Sequence, residues 1–87
     1  MTYRLILKPS VEKALAALPP QILKRVDAAL RALADTPHPP GAKVLHDKKG
    51  ILRIRVGDYR VLYRVETNRL VVLVVGVGHR REVYRNL

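Results

Sequence analysis

Between Leu52 and Glu66 the sequence reads LRIRVGDYRVLYRVE, in which charged and apolar residues alternate about a central Gly57-Asp58. Strict alternation is the signature of a strand with one face buried, and a two-residue break with glycine first suits a type II′ hairpin turn. Counting outward from that turn pairs Val56 with Tyr59, Arg55 with Arg60, Ile54 with Val61 and Arg53 with Leu62. Directly opposed residues share a face of the sheet. Arg53, Arg55, Arg60, Leu62 and Arg64 are therefore expected on one side, and Leu52, Ile54, Val56, Tyr59, Val61, Tyr63 and Val65 on the other. Helices belong against the apolar side; the arginine side is left open to an anion.

The rest of the chain supplies what such a sheet needs. Tyr3–Leu7 (YRLIL) reads as a first strand, stopped by Pro9 and Ser10. Ser10 is expected to cap a short helix over Val11–Leu18, with Val11, Ala14, Leu15 and Leu18 on one face. Pro19 and Pro20 break it, and Pro20 suits the first turn of a second helix running to about Ala34, whose Ile22, Val26, Leu30 and Leu33 form one stripe. So short a break predicts an antiparallel helix hairpin. Three prolines in Asp35–Gly41 mark a loop, and Lys43–Gly50 is expected as an exposed basic connection. A second hairpin turns at about Glu66–Arg69 and leads into Leu70–Val77, an apolar run that fits a central strand covered on both faces. With Val65 opposite Leu70, Val71, Leu73 and Val75 would floor the arginine side. The expectation is one α+β domain over residues 1–87: a strand, two helices, then a twisted, mainly antiparallel sheet of about four strands with helices on one face.

Charge narrows the partners. Lys and Arg total 17 against 7 Asp and Glu, a net charge of +10 on 87 residues. Residues 1–43 contribute 7 − 3 = +4 and residues 44–87 contribute 10 − 4 = +6, so the excess is spread with a tilt to the C-terminal half. Such a balance draws polyanions at long range. With no cysteine, and with histidines scattered at 38, 46 and 79, the chain presents no metal-ligand spacing. It has neither a signal-peptide pattern nor an apolar run of membrane-spanning length, which makes a cytoplasmic protein without membrane contact the expectation.

The order of elements, the block Ile51–Glu66 and the ending VGVGHRREVY (Val75–Tyr84) resemble the RelE/ParE superfamily of type II toxins over essentially the whole chain. The resemblance implies a RelE-like fold. RelE-type members cut messenger RNA in the ribosomal A site with a basic cluster and a C-terminal tyrosine, whereas ParE-type relatives inhibit DNA gyrase and generally lack the full set. Here Arg53 and Arg55 fall where RelE-like enzymes commonly place two lysines, Arg60 and Arg80 fall on the family's arginines, and Tyr84 falls on its tyrosine. The resemblance thus implies a ribosome-dependent mRNA endonuclease with catalytic Arg55, Arg60, Arg80 and Tyr84 and RNA-binding Arg53, Arg55, Arg64 and Arg81. The alternative is a gyrase inhibitor without nuclease activity. His79, beside Arg80, is a reserve acid or base. No cofactor is implied; the partners would be mRNA and a cognate antitoxin, acidic and partly disordered.

The residue chemistry fits RNA cleavage without metal. Attack of a 2′-hydroxyl on the adjacent phosphate requires a proton to be removed, a developing dianion to be neutralised and the leaving oxygen to be protonated. Arginine serves the middle task through permanent charge and bidentate geometry, and for the same reason is a poor base. Replacing two lysines by arginine keeps phosphate binding and removes proton transfer at those positions. Tyrosine starts from a pKa of about 10, which clustered positive charge lowers; Tyr84 ionised would serve as a base, and Tyr84 neutral as a proton donor or a surface for base stacking.

Overall fold

The computed structural model describes residues 2–86, with the side chains of Arg81, Arg85 and Asn86 excepted. Strand β1 (Arg4–Leu7) leads into helix α1 (Pro9–Ala16) and helix α2 (Pro20–Asp35), followed by strands β2 (Lys43–Val44), β3 (Leu52–Val56), β4 (Tyr59–Glu66) and β5 (Val71–His79). The strands form one sheet in the order β1-β5-β4-β3-β2. Only β1 pairs in parallel, against β5; the other pairs are antiparallel. A parallel pair needs a long connection, and here the chain runs from β1 through both helices and three strands before it returns as β5.

Both helices begin on proline at the first turn, where a missing N–H costs nothing. The cap of α1 is Lys8, not Ser10, which lies inside the helix; the helix starts two residues earlier than expected and ends at Ala16. The helix stripe is as the spacing predicts: Val26, Leu30 and Leu33 are fully buried, with Ile22 packed beside them. The helices rest on the sheet more than on each other, α1 against β5 and α2 against β1, β3 and β5. Their core closes on Ile54, Val61, Tyr63, Val72, Val74 and Val77. The Tyr63 ring is fully buried in it, and its hydroxyl donates to the Pro37 carbonyl oxygen at 2.8 Å.

The β3–β4 register is the one counted from the turn, residue for residue from Leu52↔Tyr63 to Val56↔Tyr59. Gly57 has φ +60° while Asp58 does not enter the left-handed region, as a II′ turn demands. Three features of the sheet differ from the expectation. The connection Lys43–Gly50 is not all loop: Lys43 and Val44 pair with Arg53 and Leu52, making a fifth strand. The β4–β5 hairpin turns through a short 3-10 segment, Thr67–Arg69, and a left-handed Leu70 at φ 51°, so Val65 faces Val72 in place of Leu70. A slip of two leaves the side chains between the turn and Val75 on their expected faces. Finally, β5 carries a bulge: Tyr63 faces Val74 but Leu62 faces Gly76, so Val75 is the extra residue.

Candidate functional site

The bulge decides what the open face looks like. Beyond it, Gly76 and Gly78 lie opposite Leu62 and Arg60 on the arginine side, and Val77 and His79 lie opposite Val61 and Tyr59 on the helix side. The glycines leave a bare patch of sheet. A C-terminal 3-10 segment, Arg80–Asn86, folds back onto it, and Val83 fills the space: a Cβ on Gly78 would meet Val83 Cβ at 3.2 Å and Cα at 3.3 Å, and one on Gly76 would meet a Val83 methyl at 3.3 Å. Val83 is 5% exposed and shares an apolar cluster with Ile51, Leu62 and Val75. Burying a valine contributes about 2 kcal/mol, enough to offset the cost of roughly 1–2 kcal/mol for the left-handed backbone of Arg80, φ 47°, which starts the segment.

Seating Val83 delivers Tyr84 to the arginines. Arg60 donates from Nη1 to the Tyr84 hydroxyl at 3.0 Å, and its guanidinium carbon lies 5.6 Å from the centre of the tyrosine ring. Burial pushes the Tyr84 phenol up, but hydrogen bonding and charge from Arg53 and Arg60 outweigh it, and the net effect is a phenol that ionises below its ordinary range. Arg53 is half-buried, and its Nε is buried with no protein acceptor. An unpaired buried donor costs about 1–3 kcal/mol, a cost that an anion's oxygen would relieve.

Arg80 sits at the far side of the cluster. Its backbone N–H donates to the Asp58 carbonyl at 2.9 Å, locking the end of β5 to the hairpin turn, and its guanidinium lies 3.9 Å from the exposed Asp58 carboxylate. Arg55, Arg60 and Arg80 line one depression of about 150 Å³ with Gly57 and Asp58. Arg64 stands on the same face, further along β4 and opposite Leu73. His79 does not join them: it lies on the helix side, its ring edge-on to Tyr59 with centroids 5.2 Å apart. The side chain of Arg81 lies outside the described residues. Two basic residues escaped sequence reasoning. Lys43 lies opposite Arg53 and so on the arginine face, and Arg25 of α2 reaches over the turn, where its Nη1 would be 3.2 Å from a Cβ on Gly57. Lys43 carried a faint signal in the β-prone Val44-Leu45 that follows it; Arg25 carried none. Among the described residues, no group of three or more His, Asp or Glu side chains is arranged to hold a metal ion, and no helix is long and apolar enough to cross a membrane.

An open mixed sheet with two helices on one face and an arginine–tyrosine cluster on the other defines an α+β protein of the RelE-like class. Residues 5–84 match the family described as the ParE toxin of type II toxin–antitoxin systems. Toxin RelG of Mycobacterium tuberculosis is 31% identical over 86 residues, 98% of this chain and 99% of that protein. Among solved structures, the archaeal RelE–RelB complex from Pyrococcus horikoshii matches with a TM-score of 0.82 and 30% identity, over 93% of this chain and 98% of the other. The M. tuberculosis toxin–antitoxin complex RelBE2 matches at 0.80 and 29%, over 92% and 100%. Free Escherichia coli RelE, in a mutant form, shares the fold at 0.82 with 24% identity, over 99% and 94%. The chain belongs to the RelE/ParE superfamily and is a toxin of the type II toxin–antitoxin kind.

Proposed function

We propose that this toxin is an mRNA endonuclease of the RelE type, cutting by 2′-hydroxyl attack at the Arg53–Arg60–Tyr84 cluster while the ribosome presents the message. The observation that carries the reading is the Arg60–Tyr84 hydrogen bond beside Arg53, a tyrosine whose phenol is pulled down by two guanidinium groups on an open basic face. A gyrase-binding surface has no need of an activated phenol. RNA cleavage does.

Arg53 and Arg60 grip the non-bridging oxygens of the scissile phosphate, with the Arg53 Nε gaining the acceptor it lacks. Tyr84 as phenolate takes the proton from the 2′-hydroxyl. The 2′ oxygen bonds to phosphorus, the bond from phosphorus to the 5′ oxygen breaks, and the products are a 2′,3′-cyclic phosphate and a 5′-hydroxyl. Arg80, with Arg55 on the same depression, stabilises charge on the departing oxygen until water protonates it. His79 lies on the opposite side of the sheet and has no part in this scheme.

The partner is an antitoxin, as RelB-type chains are for the relatives solved as complexes. An acidic chain lying on a face with this charge blocks RNA by occupancy, and its binding weakens with salt.

Primer extension on a translated message tests the nuclease reading. Discrete cuts are expected with the wild type and a loss of 10²-fold or more with Tyr84→Phe or Arg60→Ala. Growth inhibition with blocked supercoiling and no cuts would establish the gyrase reading instead.

A further inference from the structure

On the arginine face, beside the Tyr84 seat, lies a groove of about 450 Å³ that the scheme above leaves unused. Its floor is Ile51, Leu73 and Val75, apolar side chains of the cluster that also holds Leu62 and Val83 and against which Tyr84 packs. The floor is thus continuous with the reaction site. Around it stand four cations, Lys8, Lys48, Lys49 and Arg64, and one carboxylate, Asp47. Ion pairs elsewhere among the described residues engage Asp27, Asp58 and Glu66; none engages Asp47, despite the lysines beside it in sequence.

We propose that this groove is a second nucleotide subsite, holding the base next to the reacting phosphate, and that Asp47 makes it prefer cytosine to uracil. The inference rests on the reading that this face binds RNA. An apolar floor ringed by cations is what a single-stranded nucleotide needs, its base laid on the side chains and its phosphates on the lysines. An acidic antitoxin segment would match the cations but meet Asp47 as a like charge. To a base, Asp47 is an acceptor with no donor. It pairs with the N4 amino group of cytosine; against uracil the same oxygen faces the O4 carbonyl, and both are left without a proton. The two bases otherwise have nearly the same shape, so discrimination falls on that one contact.

The test uses hexamers of 2′-O-methyl ribonucleotides, which cannot be cut, so that binding is read independently of cleavage. All-uridine and single-cytidine hexamers are titrated against the intact toxin by fluorescence anisotropy. One cytidine is expected to tighten binding on the order of tenfold, Asp47→Asn to equalise the two, and Lys48→Ala with Lys49→Ala to reduce the salt slope by about 0.7 per lysine. Asp47 is exposed, so the variant is expected to fold normally. Equal binding of both hexamers by the wild type, or a cytidine preference that survives Asp47→Asn, would overturn the subsite. So would variants that leave hexamer binding intact while weakening an acidic antitoxin peptide, which would give the groove to the antitoxin. A cytidine preference in a toxin that cuts no translated message would keep the subsite and refute the nuclease.

Discussion

Two tyrosines on opposite sides of the sheet, Tyr63 on β4 and Tyr84 on the C-terminal 3-10 segment, illustrate how position sets chemistry. Tyr63 is fully enclosed, and burial pushes its phenol up to about 12. A raised pKa means the folded state keeps the proton longer than the unfolded chain, whose tyrosine ionises near 10. The associated stability, roughly 3 kcal/mol, is intact below pH ~10 and lost as pH climbs through about 12. Alkaline denaturation should therefore steepen in that interval, and Tyr63→Phe should flatten it, although losing the bond to Pro37 costs about 1 kcal/mol at neutral pH. Tyr84 does the reverse. Burial opposes its ionisation, but Arg53 and Arg60 prevail, so absorbance at 295 nm should report one tyrosine ionising below the ordinary value of about 10. Arg60→Ala should return that transition upward; a transition unmoved by the substitution would show that Arg60 does not act on the phenol.

At the scale of elements, the pivotal piece is the C-terminal segment seated on β5. Gly78 permits the seat, because a methyl there meets the Val83 backbone at 3.3 Å, and backbone gives less readily than a side-chain tip. Gly78→Ala should lift the segment and cost about 1–3 kcal/mol. It should also carry Tyr84 away from Arg60, seen as loss of the low tyrosine transition while far-UV circular dichroism stays native. An unchanged titration would mean that the seat tolerates the methyl. The same element marks where sequence reasoning stops. The β3–β4 pairing was legible because a two-residue turn with glycine first leaves one register, and Arg53, Arg55 and Arg60 came with it. The β4–β5 pairing slipped by two because the left-handed Leu70 lengthens the turn, and no rule of composition places leucine there. The Val75 bulge was invisible in a run of valines, and it is the bulge that sends His79 to the helix side. Strand β2, two residues long, is too short for periodicity to show.

The whole molecule divides by charge and polarity across one sheet. Helices and apolar side chains fill one face, and the basic residues at 43, 53, 55, 60, 64 and 80 gather on or beside the other. The general plan was readable from alternation and net charge, and so was the family; Tyr84's approach to Arg60 was not, since it depends on tertiary seating. A face so basic should bind an acidic antitoxin with steep ionic-strength dependence, and isothermal titration between about 50 and 500 mM salt should show affinity falling throughout. A flat salt profile would place recognition on apolar contacts instead. The central claim is that the seated tyrosine and its arginines make this face a nuclease. Primer extension on a message under translation, with wild type, Tyr84→Phe and Arg60→Ala in parallel, measures it most directly. Discrete cuts that vanish in both variants are the predicted result; cuts that persist in Tyr84→Phe at wild-type level, or none from the wild type, would contradict it.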